Sequence, residues 1–284
     1  MLVAKSLSEL NSTLKKIWKS DAKIGFVPTM GALHEGHLAL LIKAKELCDY
    51  VVCSIFVNPM QFNNETDFLK YPKSISQDLH LLKSLKCDLT FVPELSEMFP
   101  HKPIVELNFG YLDSILEGKF RPGHFSGVGI VLTKLFHLIK PHIAFFGLKD
   151  IQQCVIVKQL VNDLNFDIQL YFVPTVREPD GLALSSRNKR LSPCARKIAP
   201  EIYKSLKLAE DILLKTKSIS LAKDSAVRYL AKNNEIKLEY MEFVDLESFK
   251  ILENEPTSNV AICIACYIEQ VRLIDNLILH LNMT

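Results

Sequence analysis

Residues 24–37 read IGFVPTMGALHEGH. The first six form an apolar run ending in Pro28 and Thr29, with the length and composition of a buried strand. Gly31 allows a tight turn, and the spacing predicts a helix beginning around His34. His34 and His37 are three apart, which places them on one face of the first helical turn. Gly36 between them has no side chain, so a ligand can approach the backbone. The start of a helix presents N–H groups and the positive end of its dipole to an anion. A strand, a glycine turn and two imidazoles at a helix start therefore make a phosphate site. This is not a P-loop, because no GxxxxGK[ST] occurs. It is not a dinucleotide fingerprint either: Gly127-Val128-Gly129 is the only GxG, and Leu132 stands where the third glycine belongs.

The pattern continues on both sides of this stretch. Residues 37–48 carry Leu38, Leu41 and Ile42 at helical spacing, and 50–58 is dense in β-branched residues. Helices are expected at 76–85, 126–140 and 150–162, and strands at 89–93, 142–146 and 168–174. Continuous apolar strands with helices between them predict a parallel sheet covered on both faces. After residue 175 the order changes. Ser192-Pro193 is an N-cap and first-turn pair for a long helix toward Lys215, kinked at Pro200. A helix at 220–232 and strands at 238–246, 260–268 and a short VRLI then suggest a small α+β domain. The expected division is 1–175 and 176–284, with no repeat or low-complexity segment.

The bulk composition narrows the function classes. Nearly half the residues are hydrophobic, enough for a large core, and the net charge is only +2. Such a balance gives no electrostatic case for nucleic acid or an anionic membrane as partner. Leu7, Leu10, Leu14 and Ile17 recur at helical spacing among charges, which reads as an amphipathic helix and not a secretory signal. No run of 18 uncharged apolar residues exists to span a bilayer. Seven scattered cysteines without an export signal read as reduced thiols of a cytosolic protein. Cys263 and Cys266 form a CxxC, but they sit in the apolar run VAICIACYI, which reads as a buried strand.

Four further segments carry polar chemistry. GLKDIQQ (147–153) follows an expected strand, so Lys149 can reach a phosphate and Asp150 can cap the next helix. LSSRN (184–188), with Arg190 beyond it, offers two hydroxyls and fixed guanidinium donors suited to a polyphosphate. FVNPMQF (56–62) places Asn58 and Gln61 at the end of a strand. RPGHFSGV (121–128) is glycine-rich and holds Arg121 and His124.

Together PTMGALHEGH, NPMQF, RPGHFSGV, GLKDIQQ and SSRN, with VRLIDN near the end, resemble the pantothenate synthetase (pantoate–β-alanine ligase) family along nearly the whole chain. The resemblance implies a Rossmann-like parallel-sheet N-terminal domain that binds nucleotide and pantoate, a smaller α+β C-terminal domain, and a cytoplasmic homodimer. It implies an AMP-forming ligase that uses ATP with Mg²⁺, joining pantoate to β-alanine through pantoyl adenylate. It assigns ATP to Met30, Gly31, Ala32, Leu33, His34, Glu35, Gly36 and His37. Gly147, Leu148, Lys149, Asp150, Val176, Leu184, Ser185, Ser186 and Arg187 join them. Pantoate falls to Gln61 and Gln153, with Asn58, Arg121 and His124 in support and Gln61 bordering the β-alanine site. His37 is the implied proton donor, with His34 and Lys149 beside it in catalysis. The family's metal acids follow the YPK string. Here that segment reads SISQDL, so Asp78 beside Gln77 is one metal candidate and Asp150 the other. Two rivals share parts of the pattern. A nucleotidyltransferase would share the HxGH and the parallel sheet but not need NPMQF or RPGHFSGV. A nucleotide-binding module would bind ATP without releasing pyrophosphate.

Overall fold

A computed structural model of the chain describes residues 1–63, 65–72 and 74–281, with only the backbone of Glu65 and Thr66. Lys73 of the YPK string and residues 282–284 of the expected second domain lie outside the described residues. The chain divides into two compact units. Met1–Leu148 with Gln152–Pro174 form the first; Lys149–Ile151 and the chain from Thr175 form the second.

The first unit is a parallel α/β sheet. Its strands are β1 (Leu2–Ala4), β2 (Ile24–Thr29), β3 (Tyr50–Ile55), β4 (Leu89–Phe91), β5 (Ile143–Gly147) and β6 (Gln169–Val173). They lie in the order β1-β4-β3-β2-β5-β6 with every pairing parallel. The helices are α1 (Leu7–Ile17), α2 (Glu35–Leu47), α3 (Glu65–Leu69), α4 (Ile75–Ser84), α5 (Leu95–Met98), α6 (Leu116–Phe120), α7 (His124–Ile139) and α8 (Ile151–Asp163). From β2 the strand order runs outward both ways, so the boundary between β2 and β5 is the switch point of the sheet. Open parallel sheets bind ligands beyond the strand C-termini at such a point.

Both faces of the sheet are buried, which is why its strands read as unbroken apolar runs. Successive side chains go to opposite layers. Phe26 and Phe146 join a cluster with Leu10, Leu14 and Phe136, while Val27 and Phe145 join another with Leu41, Ala44 and Val51. The expected amphipathic helix is α1, capped by Ser6 Oγ accepting from Glu9 N at 3.2 Å and burying Leu10 and Leu14. Strand β1 was not expected. Three residues are too short for a periodic signal, and only pairing with β4 makes them a strand.

The second unit holds α9 (Pro193–Ile198), α10 (Glu201–Thr216), α11 (Ile219–Leu230) and an antiparallel sheet of β7 (Ile236–Asp245), β8 (Asn259–Ile268) and β9 (Val271–His280) in that order. The long helix expected from Ser192 is two helices. Ser192 Oγ does cap the first, accepting from Ala195 N at 3.1 Å. Pro200 then separates α9 from α10 because it has no N–H to continue the ladder. The short VRLI extends to the ten residues of β9, since Asp275 and Asn276 interrupt the apolar pattern but are buried within the strand. Cys263 and Cys266 are buried in β8, and burial pushes the Cys266 thiol up to about 12. Among the described residues no helix is long and apolar enough to cross a membrane.

Candidate active site

In the first unit the HxGH segment is built by a strained turn and a distant carboxylate. Thr29 Oγ1 closes the end of β2 by donating to Ser54 O at 2.7 Å and accepting from Gly31 N at 3.2 Å. Gly31 (φ +81°) and Ala32 (φ 51°) then turn through the left-handed region. A Cβ at Gly31 would lie 3.0 Å from both Asp78 Oδ2 and Ile55 Cγ2, so glycine suits the tight space as well as the positive φ. Asp78, on α4 and only 1% exposed, accepts from Ala32 N at 2.9 Å and Leu33 N at 2.8 Å, one bond per oxygen. Ser74 Oγ adds a third bond at 3.1 Å. Each charge-assisted bond is worth about 1.5–3 kcal/mol, enough to offset a left-handed alanine at roughly 1–3 kcal/mol.

Both oxygens of Asp78 thus serve the turn, and sequence reading offered it only as a metal acid. Asp150, the other candidate, makes a 3.7 Å ion contact with Lys149. Among the described residues no group of three or more His, Cys, Asp or Glu is placed to hold a metal ion.

Helix α2 begins at Glu35 with His34 as N-cap, so the two histidines are cap and third residue and not two positions inside the helix. His34 Nδ1 accepts from Gly36 N at 3.2 Å, and His37 Nδ1 accepts from His34 N at 3.4 Å. The rings lie 4.1 Å apart, centre to centre. This changes the expected anion site. Two backbone donors are taken by the rings themselves. A neutral imidazole that accepts at Nδ1 carries its proton on Nε2, so each ring can donate there. The arrangement therefore orients two imidazole N–H groups by bonds to the backbone.

NPMQF and RPGHFSGV prove to be one assembly. Asn58 caps a 3₁₀ turn over Pro59–Gln61, with Oδ1 accepting from Met60 N at 3.2 Å. Its Nδ2 donates to Gln61 Oε1 at 3.1 Å and to Gly127 O at 3.0 Å. Gln61 is buried and donates from Nε2 to Met30 Sδ at 3.1 Å, bringing together residues far apart in sequence. Arg121 Nη2 (3.2 Å) and His124 Nδ1 (2.7 Å) both bond the Gln61 carbonyl. Arg121 and His124 therefore hold Gln61. A Cβ at Gly127 would lie 2.4 Å from Met60 O, so glycine lets α7 lie against the turn. Met30 also lines a cavity of about 250 Å³ with Gly31, Phe56, Pro59 and Asp78.

The paired glutamines of GLKDIQQ divide their work. Gln152 is buried, accepting from Glu117 N at 2.8 Å and donating to Leu112 O and Ile115 O. Gln153 is half-buried. In the second unit Leu184 N donates to Val176 O at 3.0 Å, so two assigned ATP residues are neighbours. Ser185 caps the 3₁₀ turn Ser186–Arg190 by accepting from Arg187 N at 3.3 Å. Sequence reading missed Arg177 and gave Asp275 and Asn276 no role. Arg177 Nη1 and Nη2 bond the Asp275 carboxylate at 2.6 and 3.0 Å. Burial pushes the Asp275 carboxyl up, and the guanidinium opposes it. The available signal was VRLIDN itself: an adjacent acid and amide inside an apolar strand require buried partners.

Comparison with known proteins agrees with these motifs. The profile of the Pantoate-beta-alanine ligase family matches residues 2–278. The chain is 45% identical to a pantothenate synthetase of Cytophaga hutchinsonii over 99% of this chain and 100% of that one. Its fold is similar to the crystal structure of pantothenate synthetase from Thermus thermophilus, with a TM-score of 0.92, 39% identity and coverage of 98% and 99%. It is also similar to a pantoate-beta-alanine ligase from Francisella tularensis, complexed with beta-gamma ATP and beta-alanine. That match has a TM-score of 0.83, 37% identity and coverage of 98% and 97%.

Proposed function

The chain belongs to the pantoate–β-alanine ligase family, and on that premise we propose that it forms its amide bond through a pantoyl adenylate held on the enzyme. The overall reaction is the ATP-dependent condensation of pantoate with β-alanine. A carboxylate resists attack by an amine because it carries charge and lacks a good leaving group. In the first step a pantoate carboxylate oxygen attacks the α-phosphorus of ATP, and pyrophosphate leaves. In the second the amine of β-alanine attacks the activated carbonyl and loses a proton. The carbonyl–oxygen bond to AMP breaks, leaving pantothenate.

The observation that carries this reading is the paired-histidine cap on α2. Negative charge grows on the phosphate oxygens in the first step, and preorganised donors lower that barrier most. His34 and His37 supply Nε2–H groups whose orientation is set by their backbone bonds. Lys149 supplies an ammonium on a four-carbon stem, and Val176 and Leu184–Arg187 complete the proposed ATP contacts. Gln61 and Gln153 bind pantoate, with Gln61 bordering β-alanine. Asn58, Arg121 and His124 position Gln61. The family resemblance also supports ATP taken with Mg²⁺ and a cytoplasmic homodimer. Asp150, with a side chain 48% exposed, is the acid still available to approach an ion.

Pyrophosphate exchange into ATP is the direct test. It should occur with pantoate and without β-alanine. Exchange that appears only when β-alanine is added would exclude a separate adenylation step. Gln153 tests the division of substrates. Gln153→Ala should leave a bound polar group poorly paired, at about 1–3 kcal/mol. The KM for pantoate should therefore rise much more than that for ATP. Equal rises would remove Gln153 from the pantoate site.

A further inference from the structure

The Asp275–Asn276 pair is the polar feature left over by the proposed reaction. We propose that Asn276 is a positioning residue for Lys149, held in place by the Arg177–Asp275 ion pair. This inference rests on the reading that places Lys149 in adenylation.

Asp275 and Asn276 are 5% and 4% exposed in a strand otherwise rich in leucine, isoleucine and valine. Adjacent strand residues point to opposite faces. Val271, Leu273 and Leu279 pack in the apolar cluster of this unit, and Asp275 shares their alternation. Asn276 takes the other face and donates from Nδ2 to Lys149 O at 2.8 Å, across 127 positions of sequence. Its own backbone is fixed twice. Asn276 N donates to Asp275 Oδ1 at 2.7 Å, and Asn276 O accepts from Arg177 Nη2 at 3.0 Å.

Arg177 is held in turn. It forks onto Asp275, donates to Gly181 O at 3.1 Å and stacks 4.0 Å over the Tyr203 ring. Arg177 also pairs with Ala183 in the segment that leads into Ser185–Arg187. A buried amide placed only for stability could satisfy its N–H on any nearby carbonyl. Here it is spent on the residue whose ammonium must meet moving charge. Lysine reaches its target through a flexible four-carbon stem, so the position of its backbone decides where the ammonium can dwell.

The test is a double-mutant cycle on the full chain, read by pantoate-dependent pyrophosphate exchange. Asn276→Ala should lower the exchange rate about tenfold, in line with a small misplacement of a reacting group. The KM for ATP should change little. In a Lys149→Ala background, Asn276→Ala should change the rate less than twofold. Asn276→Ser, smaller in its demand on folding, should behave in the same way if the alanine variant does not fold. An equal loss in both backgrounds would overturn the positioning role while leaving Lys149 in the reaction. Normal exchange by Lys149→Ala alone would overturn the reading of Lys149 and this inference with it.

Discussion

His37→Ala is expected to slow pyrophosphate exchange by roughly 10²–10⁴, the range for removing a positioned acid or electrostatic donor. His37 is fixed at the third position of α2, with Nδ1 accepting from His34 N at 3.4 Å. Its Nε2–H is therefore presented without a search through tautomers. The same bond means that the substitution also removes half of a reciprocal cap. That loss is worth about 0.5–2 kcal/mol, a small shift in Tm for a chain of this size. The two effects separate cleanly, because circular dichroism should show a folded protein while exchange collapses. His37→Gln retains an acceptor for the cap and an amide donor for phosphate, so it should recover Tm first and rate only in part. Wild-type turnover by His37→Ala would remove this residue from the mechanism.

Lys149→Ala should divide the two half-reactions. During adenylation pyrophosphate leaves with increasing negative charge, and an ammonium on a flexible stem can follow it. When the amine attacks carbon, pyrophosphate has gone and AMP departs with less charge. Single-turnover kinetics from ATP and pantoate should slow by roughly 10²-fold or more, as for loss of one preorganised donor. Starting from supplied pantoyl adenylate and β-alanine, the loss should be clearly smaller. Equal losses would assign Lys149 to general nucleotide binding. Its nearest described charge, Asp150 at 3.7 Å, is too distant for a tight pair, so the ammonium is not locked away from such a role.

Two buried cysteines of the first unit do not compete for these tasks. Burial pushes Cys53 well above its usual range and Cys87 up to about 11. Both thiols therefore stay protonated and unreactive near neutral pH.

Sequence and structure divided the information along physical lines. Apolar runs flanked by amphipathic helices were enough for a parallel sheet buried on both faces, because a strand of some length covered on both sides leaves a continuous apolar run. The capping chemistry of Ser192-Pro193 and the glycine turn before His34 were equally legible, since each is decided within a few residues. The five motif strings carried the family and the reaction. Three things depended on the folded chain. Asp78 was legible only as a metal candidate; the folded chain adds that its carboxylate holds Ala32 and Leu33, 46 and 45 positions away. Arg121 and His124 were expected only as support for the pantoate site; the folded chain shows what they support, the carbonyl of Gln61. VRLI looked like a short strand, yet it runs on through Asp275 and Asn276 because Arg177 and Lys149 O supply their partners. Local backbone preference and hydrophobic period are properties of neighbouring residues, so the sequence alone determined the longer strands and helices and their layers, while β1 and the extent of β9 depended on their pairing partners. A buried polar side chain takes its meaning from the partner that replaces water, and only the tertiary structure decided which distant residue that partner is.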